Sequence, residues 1–287
     1  MSQIRRVFMS YEPSYWRGMV CTLGSLARNA QAPTDVEVLM RSDHVAAFDR
    51  LISKMPAHTL DVVTVKPLVM SSAALRECEV PQFTDHFKAE ICFRLYYFEM
   101  SRLEGNALYV DIDTIVRASI RDLSSALPKE KPLSARPHDH IDKSIKAIDP
   151  DISSYFNSGV MLFNCDRFGD EIFERMRESR KIMHQIHQFS GFLDQDALNL
   201  AFRDRWTPLP TRFNYMSGEQ APLDRDMGHI LHATGSRKPW MLGGRHRFSA
   251  EYAQEMQALR YSALRRYETR WIMDRLARKT TNLFGKM

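Results

Sequence analysis

Residues 107–116 read ALYVDIDTIV, an apolar run with the composition of a buried strand that ends in the acidic triplet Asp111-Ile112-Asp113. Successive strand side chains alternate faces, so two Asp separated by one residue share a face. Burying both without a partner is costly, which points to a cation. A hard divalent ion, Mg²⁺ or Mn²⁺, suits oxygen ligands of this kind and would also accept phosphate oxygens. The triplet fits an Asx-turn or a helix N-cap at a strand end as well.

Outward from this stretch, short apolar runs at Val7–Met9, Val36–Met40, Val62–Val65, Leu108–Val110, Val160–Phe163 and Ile230–His232 read as strands. Helical spacing of apolar residues covers 15–28, 43–54, 86–103, 166–187 and 194–203. Short strands alternating with helices imply an α/β fold, with a mostly parallel central sheet flanked by helices. Such sheets hold ligands at the carboxyl ends of their strands. No repeat and no Gly/Pro/Ser-rich linker divides the first 245 residues.

Three further stretches place polar residues at strand or helix ends. HATGSRKPW (232–240) offers an imidazole, a glycine loop and an ammonium to one anion. His232 there reads as a third metal ligand or as a satisfied core histidine, and Lys238 as a phosphate contact or a surface charge. YFNSGVMLFN (155–164) opens a buried strand with Asn157, Ser158 and Gly159, a sugar contact or a turn. FLDQDALNLAF (192–202) opens a helix with Asp194, Gln195 and Asp196. Capping and the helix dipole account for the acids but give Gln195 nothing specific to do.

Taken in this order, the DxD after a hydrophobic strand, NSGVMLFN, LDQDALN and HxxGxxKPW resemble glycosyltransferase family 8 over roughly residues 7–240. These are retaining enzymes of the Rossmann-like GT-A fold, among them lipopolysaccharide galactosyl- and glucosyltransferases and glycogenin. The resemblance implies that Asp111, Asp113 and His232 hold Mn²⁺ on the diphosphate of a UDP-sugar. Imidazole among oxygen ligands favours manganese over magnesium. It further implies that Lys238 and the backbone near Gly235 grip the diphosphate, and that Arg94 and His86 contact the donor. Asn157, Ser158, Asp194 and Gln195 fall where the donor sugar binds, with Asp194 and Gln195 the catalytic candidates and Gln195 beneath the anomeric carbon. In FMSYEPSYW (8–16), Tyr15 with Glu12 or Tyr11 takes the place of the family's nucleobase cluster.

The implied activity is transfer of a hexose, glucose or galactose, from a UDP-sugar to a glycan or lipid-linked saccharide acceptor such as lipopolysaccharide. Two other classes fit parts of the pattern. A metal-dependent nucleotidyltransferase also needs carboxylates, a divalent ion and a phosphate-binding lysine. A nucleic-acid-binding module would use the basic C-terminus. Neither explains LDQD or HxxGxxKPW.

The 287 residues carry a net charge of +5 with 44% hydrophobic residues, ordinary for a folded protein. The charge is local: residues 260–287 hold eight basic residues against two acidic ones, a surplus of six. With Tyr261, Tyr267, Trp271 and Phe284 interspersed, this stretch suits an anionic membrane surface, or a solvated helix face. We therefore expect a catalytic domain over 1–248 and a basic aromatic tail over 249–287, with no nucleic-acid partner. Four scattered cysteines, no secretory leader pattern in MSQIRRVFMSYEPSY and no run of about 18 apolar residues suggest a cytoplasmic protein, with the tail as its peripheral membrane contact.

Overall fold

The apolar run before the acidic triplet forms a strand inside a seven-stranded sheet. In chain order the sheet contains β1 (Arg6–Ser10), β2 (Thr34–Met40), β3 (Val63–Val69), β4 (Asn106–Val110), β6 (Leu133–Pro137), β7 (Phe156–Asn164) and β8 (Trp206–Pro208). A second sheet joins β5 (Thr114–Val116), β9 (Tyr215–Met216) and β10 (Ile230–His232) in the order β5-β10-β9. The helices are α1 (Trp16–Asn29), α2 (Val45–Ile52), α3 (Ala57–Leu60), α4 (Ser72–Cys78), α5 (Tyr97–Met100), α6 (Lys143–Ile148), α7 (Asp170–Ile186), α8 (Leu193–Ala201) and α9 (Ser249–Ala258). This computed structural model describes residues 4, 6–78, 89–101, 104–139, 141, 143–186, 193–223, 228–241 and 246–259. His86 and the basic stretch 260–287 lie outside the described residues.

The large sheet runs β3-β2-β1-β4-β7-β6-β8. It is mostly parallel, as expected: β1 pairs with β2 and β4, β2 with β3, and β6 with β8 in parallel, while β7 is antiparallel to both β4 and β6. The carboxyl ends of β1 and β4 therefore meet the amino end of β7 on one edge. Strand alternation divides the interior into two cores. Val7, Met9, Leu108, Val110, Val160 and Leu162 pack with Trp16, Val20 and Leu23 of α1. Phe8, Ala107, Tyr109, Met161 and Phe163 pack with Phe93, Tyr97 and Phe202 on the other face. Apolar residues on both faces are what a sheet covered on two sides requires, and they explain the continuous hydrophobic runs.

The helix expected over 86–103 takes a different form in its described part. Ala89–Tyr96 is a 3₁₀ helix, followed by the single turn α5. A 3₁₀ helix has three residues per turn, so side chains at i and i+3 point the same way. Ile91 and Arg94 are so related, and both line the same cleft.

The first residues of the expected tail form α9. Met256 of this helix and Leu259 just beyond it join the α1 core. A side chain on Gly24 of α1 would come within 2.5 Å of Leu259 Cδ2, so the glycine is what lets the leucine seat. Truncating a fully buried leucine leaves a cavity. Leu259→Ala is expected to destabilise the whole catalytic fold by about 2–4 kcal/mol in urea unfolding. A wild-type midpoint would show that the segment does not contribute to the core.

Candidate active site

A cleft of about 310 Å³ opens at the edge where β1 and β4 end and β7 begins. After Val110 the chain leaves the strand in a turn: the N–H and Oγ1 of Thr114 both donate to the main-chain oxygen of Asp111, at 3.2 and 2.8 Å. The turn is thus closed by backbone and threonine, and both aspartate carboxylates are left for other work. β5 then pairs with β10, setting Thr114 opposite His232, and Ala233 N–H donates to Asp113 O at 3.0 Å. That pairing carries a histidine about 120 residues along the chain to the acidic triplet.

The resulting cluster has ligand atoms of Asp111, Asp113 and His232 within 4.8 Å of one another. His232 Nε2 lies 3.5 Å from Asp111 Oδ2 and 3.5 Å from Asp113 Oδ1. Asp113 Oδ1 is buried and makes no hydrogen bond, an arrangement that costs free energy unless a cation meets it. Two carboxylate oxygens and one imidazole nitrogen converging on one point, one of them an orphan, fit a divalent ion. The imidazole lies flat against β7: a methyl group on Gly159 would sit 2.0 Å from its Cε1.

Arg94 organises the other side of the cluster. Its guanidinium is buried over the ring of Tyr109 at 4.5 Å. It contacts Asp111 Oδ1 at 3.1 Å and Asp194 Oδ2 at 3.0 Å, and donates to Ser158 O at 2.8 Å. Tyr109 hydroxyl donates to Asp111 Oδ1 at 2.6 Å. Burial alone would push the Asp111 carboxyl up, but Arg94 first, then the His232 ring in its protonated form and the Tyr109 hydroxyl, outweigh it and hold the group down at about 2. For Asp194 burial wins over the attraction of Arg94, and its carboxyl is raised to about 6. The two acids are separated in titration by their surroundings, not by their chemistry.

Gln195 is anchored at both ends. Its Oε1 accepts from Asn157 Nδ2 at 3.1 Å and Ser158 N–H at 3.0 Å, and its Nε2 donates to Tyr155 hydroxyl at 3.2 Å. Tyr155 in turn donates to Asp196. Asn199, one turn along α8, pairs with both the N–H and the C=O of Phe156, docking the helix on the start of β7. On the remaining wall, Lys238 Nζ contacts Asp113 Oδ2 at 2.5 Å and donates to Ala233 O at 2.7 Å. Burial pulls the Lys238 ammonium down, but Asp113 outweighs it and the net shift is upward. Gly235 takes φ +83°, a conformation open to glycine, at the bend that brings Lys238 back to the cleft.

The cleft thus brings together Glu12, Tyr15, Arg94, Asp111, Asp113, Asn157, Ser158, Asp194, Gln195, His232, Gly235 and Lys238. Of the two candidates beside Tyr15, only Glu12 lines it. Tyr11 is fully buried in the core against Phe48. Glu12 caps the turn Pro13–Tyr15 by accepting from Ser14 N–H at 2.8 Å. Tyr109, Tyr155, Asn199 and Asn214 are contributors that motif spacing missed. Tyr109 stands two residues before Asp111 and was legible from strand alternation; Asn214 lies in LPTRFNYM, where nothing in the sequence marks it.

The fold is of GT-A type, matching that of LgtC. The model of Glycosyl transferase family 8 matches residues 6–242, and the chain belongs to that family. Among curated relatives, GlyB of Streptococcus pneumoniae is 29% identical over 171 residues, and general stress protein A of Bacillus subtilis 25% over 177. These alignments cover 54% and 55% of this chain but only 39% and 60% of the relatives. Among solved structures, galactosyltransferase LgtC, held in complex with donor and acceptor sugar analogues, superposes with a TM-score of 0.71 at 20% identity, covering 88% of this chain and 96% of LgtC. GlyE of Streptococcus pneumoniae gives 0.65 at 18% identity, covering 94% and 64%.

Gly159→Ala should displace the His232 imidazole and lower transfer activity about 100-fold, since a misplacement of about 1 Å has that effect. Initial rates at saturating donor, with melting curves to confirm folding, check this; an active alanine variant would mean the ring has slack. Asp194 gives a pH test. Its carboxyl binds a proton more tightly in the folded protein than at its ordinary value of 3.8, so stability falls as pH rises through the window up to about 6. A carboxamide does not titrate. The melting-temperature difference, wild type minus Asp194→Asn, is expected to shrink between about pH 4 and about pH 7.

Proposed function

We propose that this chain is a retaining, Mn²⁺-dependent hexosyltransferase that moves glucose or galactose from a UDP-sugar to a saccharide acceptor, a lipid-linked glycan or lipopolysaccharide. The observation that carries the reading is the convergence of Asp111, Asp113 and His232 beside Lys238, with one buried carboxylate oxygen left without a hydrogen bond. These residues would hold the ion, and the imidazole favours manganese over magnesium. When bound, the ion supplies Lewis-acid stabilisation of negative charge on the departing diphosphate.

The chain's own residues do the rest. Lys238, already held among anionic groups, presents a point charge to the same diphosphate. Arg94 holds Asp111 and Asp194 in fixed positions on the donor side. Tyr15 and Glu12 line the cleft and would contact the nucleoside. The amide of Gln195 lies on the cleft wall with its orientation fixed at both ends, a positioned dipole and not an anionic nucleophile. The carboxylate of Asp194, which lines the same cleft, is engaged by Arg94. This favours attack by the acceptor hydroxyl on the face that the diphosphate leaves. The bond from anomeric carbon to phosphate oxygen breaks, the bond to the acceptor oxygen forms, and the hydroxyl proton passes to the diphosphate. Preorganised charges of this kind provide most of the stabilisation in such reactions.

The sugar acceptor is supported by LgtC, whose structure contains an acceptor sugar analogue. For the membrane-facing part of the proposal the support is the composition of 260–287. No helix among the described residues is long and apolar enough to cross a membrane.

A panel of UDP- and other nucleotide-sugars tests the reading. UDP release is expected with UDP-glucose or UDP-galactose, only when Mn²⁺ is present, and is lost in Asp113→Asn. Release of pyrophosphate from a nucleoside triphosphate, or turnover of no sugar nucleotide with any saccharide acceptor, would overturn it.

A further inference from the structure

We propose that Asn214 is a positioning residue of the transfer site. Its amide dictates that His232 turns a lone pair, on Nε2, toward Asp111 and Asp113, and through Asn157 it ties that imidazole to the amide of Gln195. The proposal rests on the reading of Asp111, Asp113 and His232 as a metal site. Asn214 is fully buried just before β9, and the parallel pairing of β9 with β10 sets it beside His232.

The argument is one of hydrogen-bond polarity. An amide side chain can be turned over; a main-chain N–H cannot. Gly159 N–H lies 3.0 Å from one side-chain atom of Asn157, so that atom is the oxygen, Oδ1. The Asn214 atom 2.9 Å from this oxygen must be a donor, Nδ2. The remaining Asn214 atom is therefore Oδ1, and it lies 3.0 Å from His232 Nδ1. An amide oxygen only accepts, so Nδ1 carries the hydrogen. In the neutral imidazole the lone pair is then on Nε2, the nitrogen 3.5 Å from both aspartates.

The other end agrees independently. Asn157 Nδ2 must donate, and it meets Gln195 Oε1 at 3.1 Å. Ser158 N–H, a second irreversible donor, meets the same oxygen at 3.0 Å. Two adjacent main-chain amides of β7 thus fix the direction of the whole series His232, Asn214, Asn157 and Gln195. Asn214 is its hinge, held from behind by Arg136, whose guanidinium donates to the Asn214 main-chain oxygen at 2.8 Å.

Two substitutions separate the two ends. Asn214→Ala removes the acceptor that His232 needs. Asn214→Asp keeps an oxygen for His232 but turns a second oxygen on Asn157 Oδ1, which disturbs the Gln195 side. Loss of such a partner to a metal-binding histidine costs about 10–100-fold in affinity or activity.

The first measurement is the ¹⁵N spectrum of histidine-labelled, metal-free wild-type protein, followed upward in pH until the His232 signals no longer change. A protonated Nδ1 in His232 is expected, and an unprotonated one overturns the proposal. The second is Mn²⁺ affinity by electron paramagnetic resonance, with melting curves alongside. Asn214→Ala should weaken Mn²⁺ binding about 10–100-fold, whereas Asn214→Asp should bind it near the wild-type affinity and lower kcat at least about tenfold. An alanine variant with wild-type Mn²⁺ affinity overturns the proposal. Should that variant lose its cooperative melting transition, the aspartate variant decides: weakened Mn²⁺ binding there overturns it, and retained binding with lowered kcat supports it. Wild-type protein that binds no Mn²⁺ would instead overturn the metal reading, and the Nδ1 measurement decides the tautomer separately.

Discussion

The site depends on one buried guanidinium. Arg94 enters from the 3₁₀ segment, crosses beneath the end of β4 and reaches the start of β7 and the first turn of α8. Asp111, Ser158 and Asp194, each on a different element, converge on its donors. Without it two carboxylates would share a small, largely dry space, and one of them would have to take up a proton. Buried ion pairs of this kind contribute little net stability, because desolvation offsets the attraction. Their worth here is geometric: Arg94 makes the positions of Asp111 and Asp194 interdependent. Tyr109 adds an aromatic floor for the cation and a hydrogen bond for the anion.

The sheet serves the same end. Because β7 runs antiparallel to β4, its amino end lies at the edge where β4 stops, and Asp111 N–H can still reach Gly159 O at 2.8 Å. Asn157, Ser158 and Gly159 are thus next to the acidic triplet at the end of the adjacent strand. The small sheet supplies the third part by pairing β5, just after the triplet, with β10, which ends in His232. Motifs spread over about 120 residues of the chain become neighbours through two strand pairings.

Much of this was legible in the residues. Each of the six apolar runs read as strands overlaps a strand of the molecule; five lie on largely buried strands, where residues covered on both faces leave a clear mark, whereas Val62–Val65 falls on the edge strand β3, in which Val63 is buried and most of the rest is not. Leu133–Pro137, Trp206–Pro208 and Tyr215–Met216 left none, since strands this short or polar, such as LSARP, are fixed by their neighbours and not by their own composition. The 3₁₀ form of Ala89–Tyr96 was hidden because apolar spacings of three and four suit either helix. The acidic pair was rightly read as partnered, although it is the turn closed by Thr114, not strand alternation, that sets its carboxylates together. Asn214 and Tyr155 could not be found: a hydrogen-bond partner buried in the second layer carries no pattern of its own.

The charged lining of the cleft has one more consequence. Among the described residues, Glu12, Glu90, Asp111, Asp113 and Asp194 face it against Arg94 and Lys238. An anionic diphosphate approaching alone meets a surface of its own sign, and a cation approaching alone meets an attractive one. In linkage terms, each ligand raises the affinity for the other by the same factor. On the proposed reading the cleft would therefore act as an electrostatic AND gate, favouring a sugar nucleotide that arrives with its cation over free nucleotide or phosphate that arrives without one.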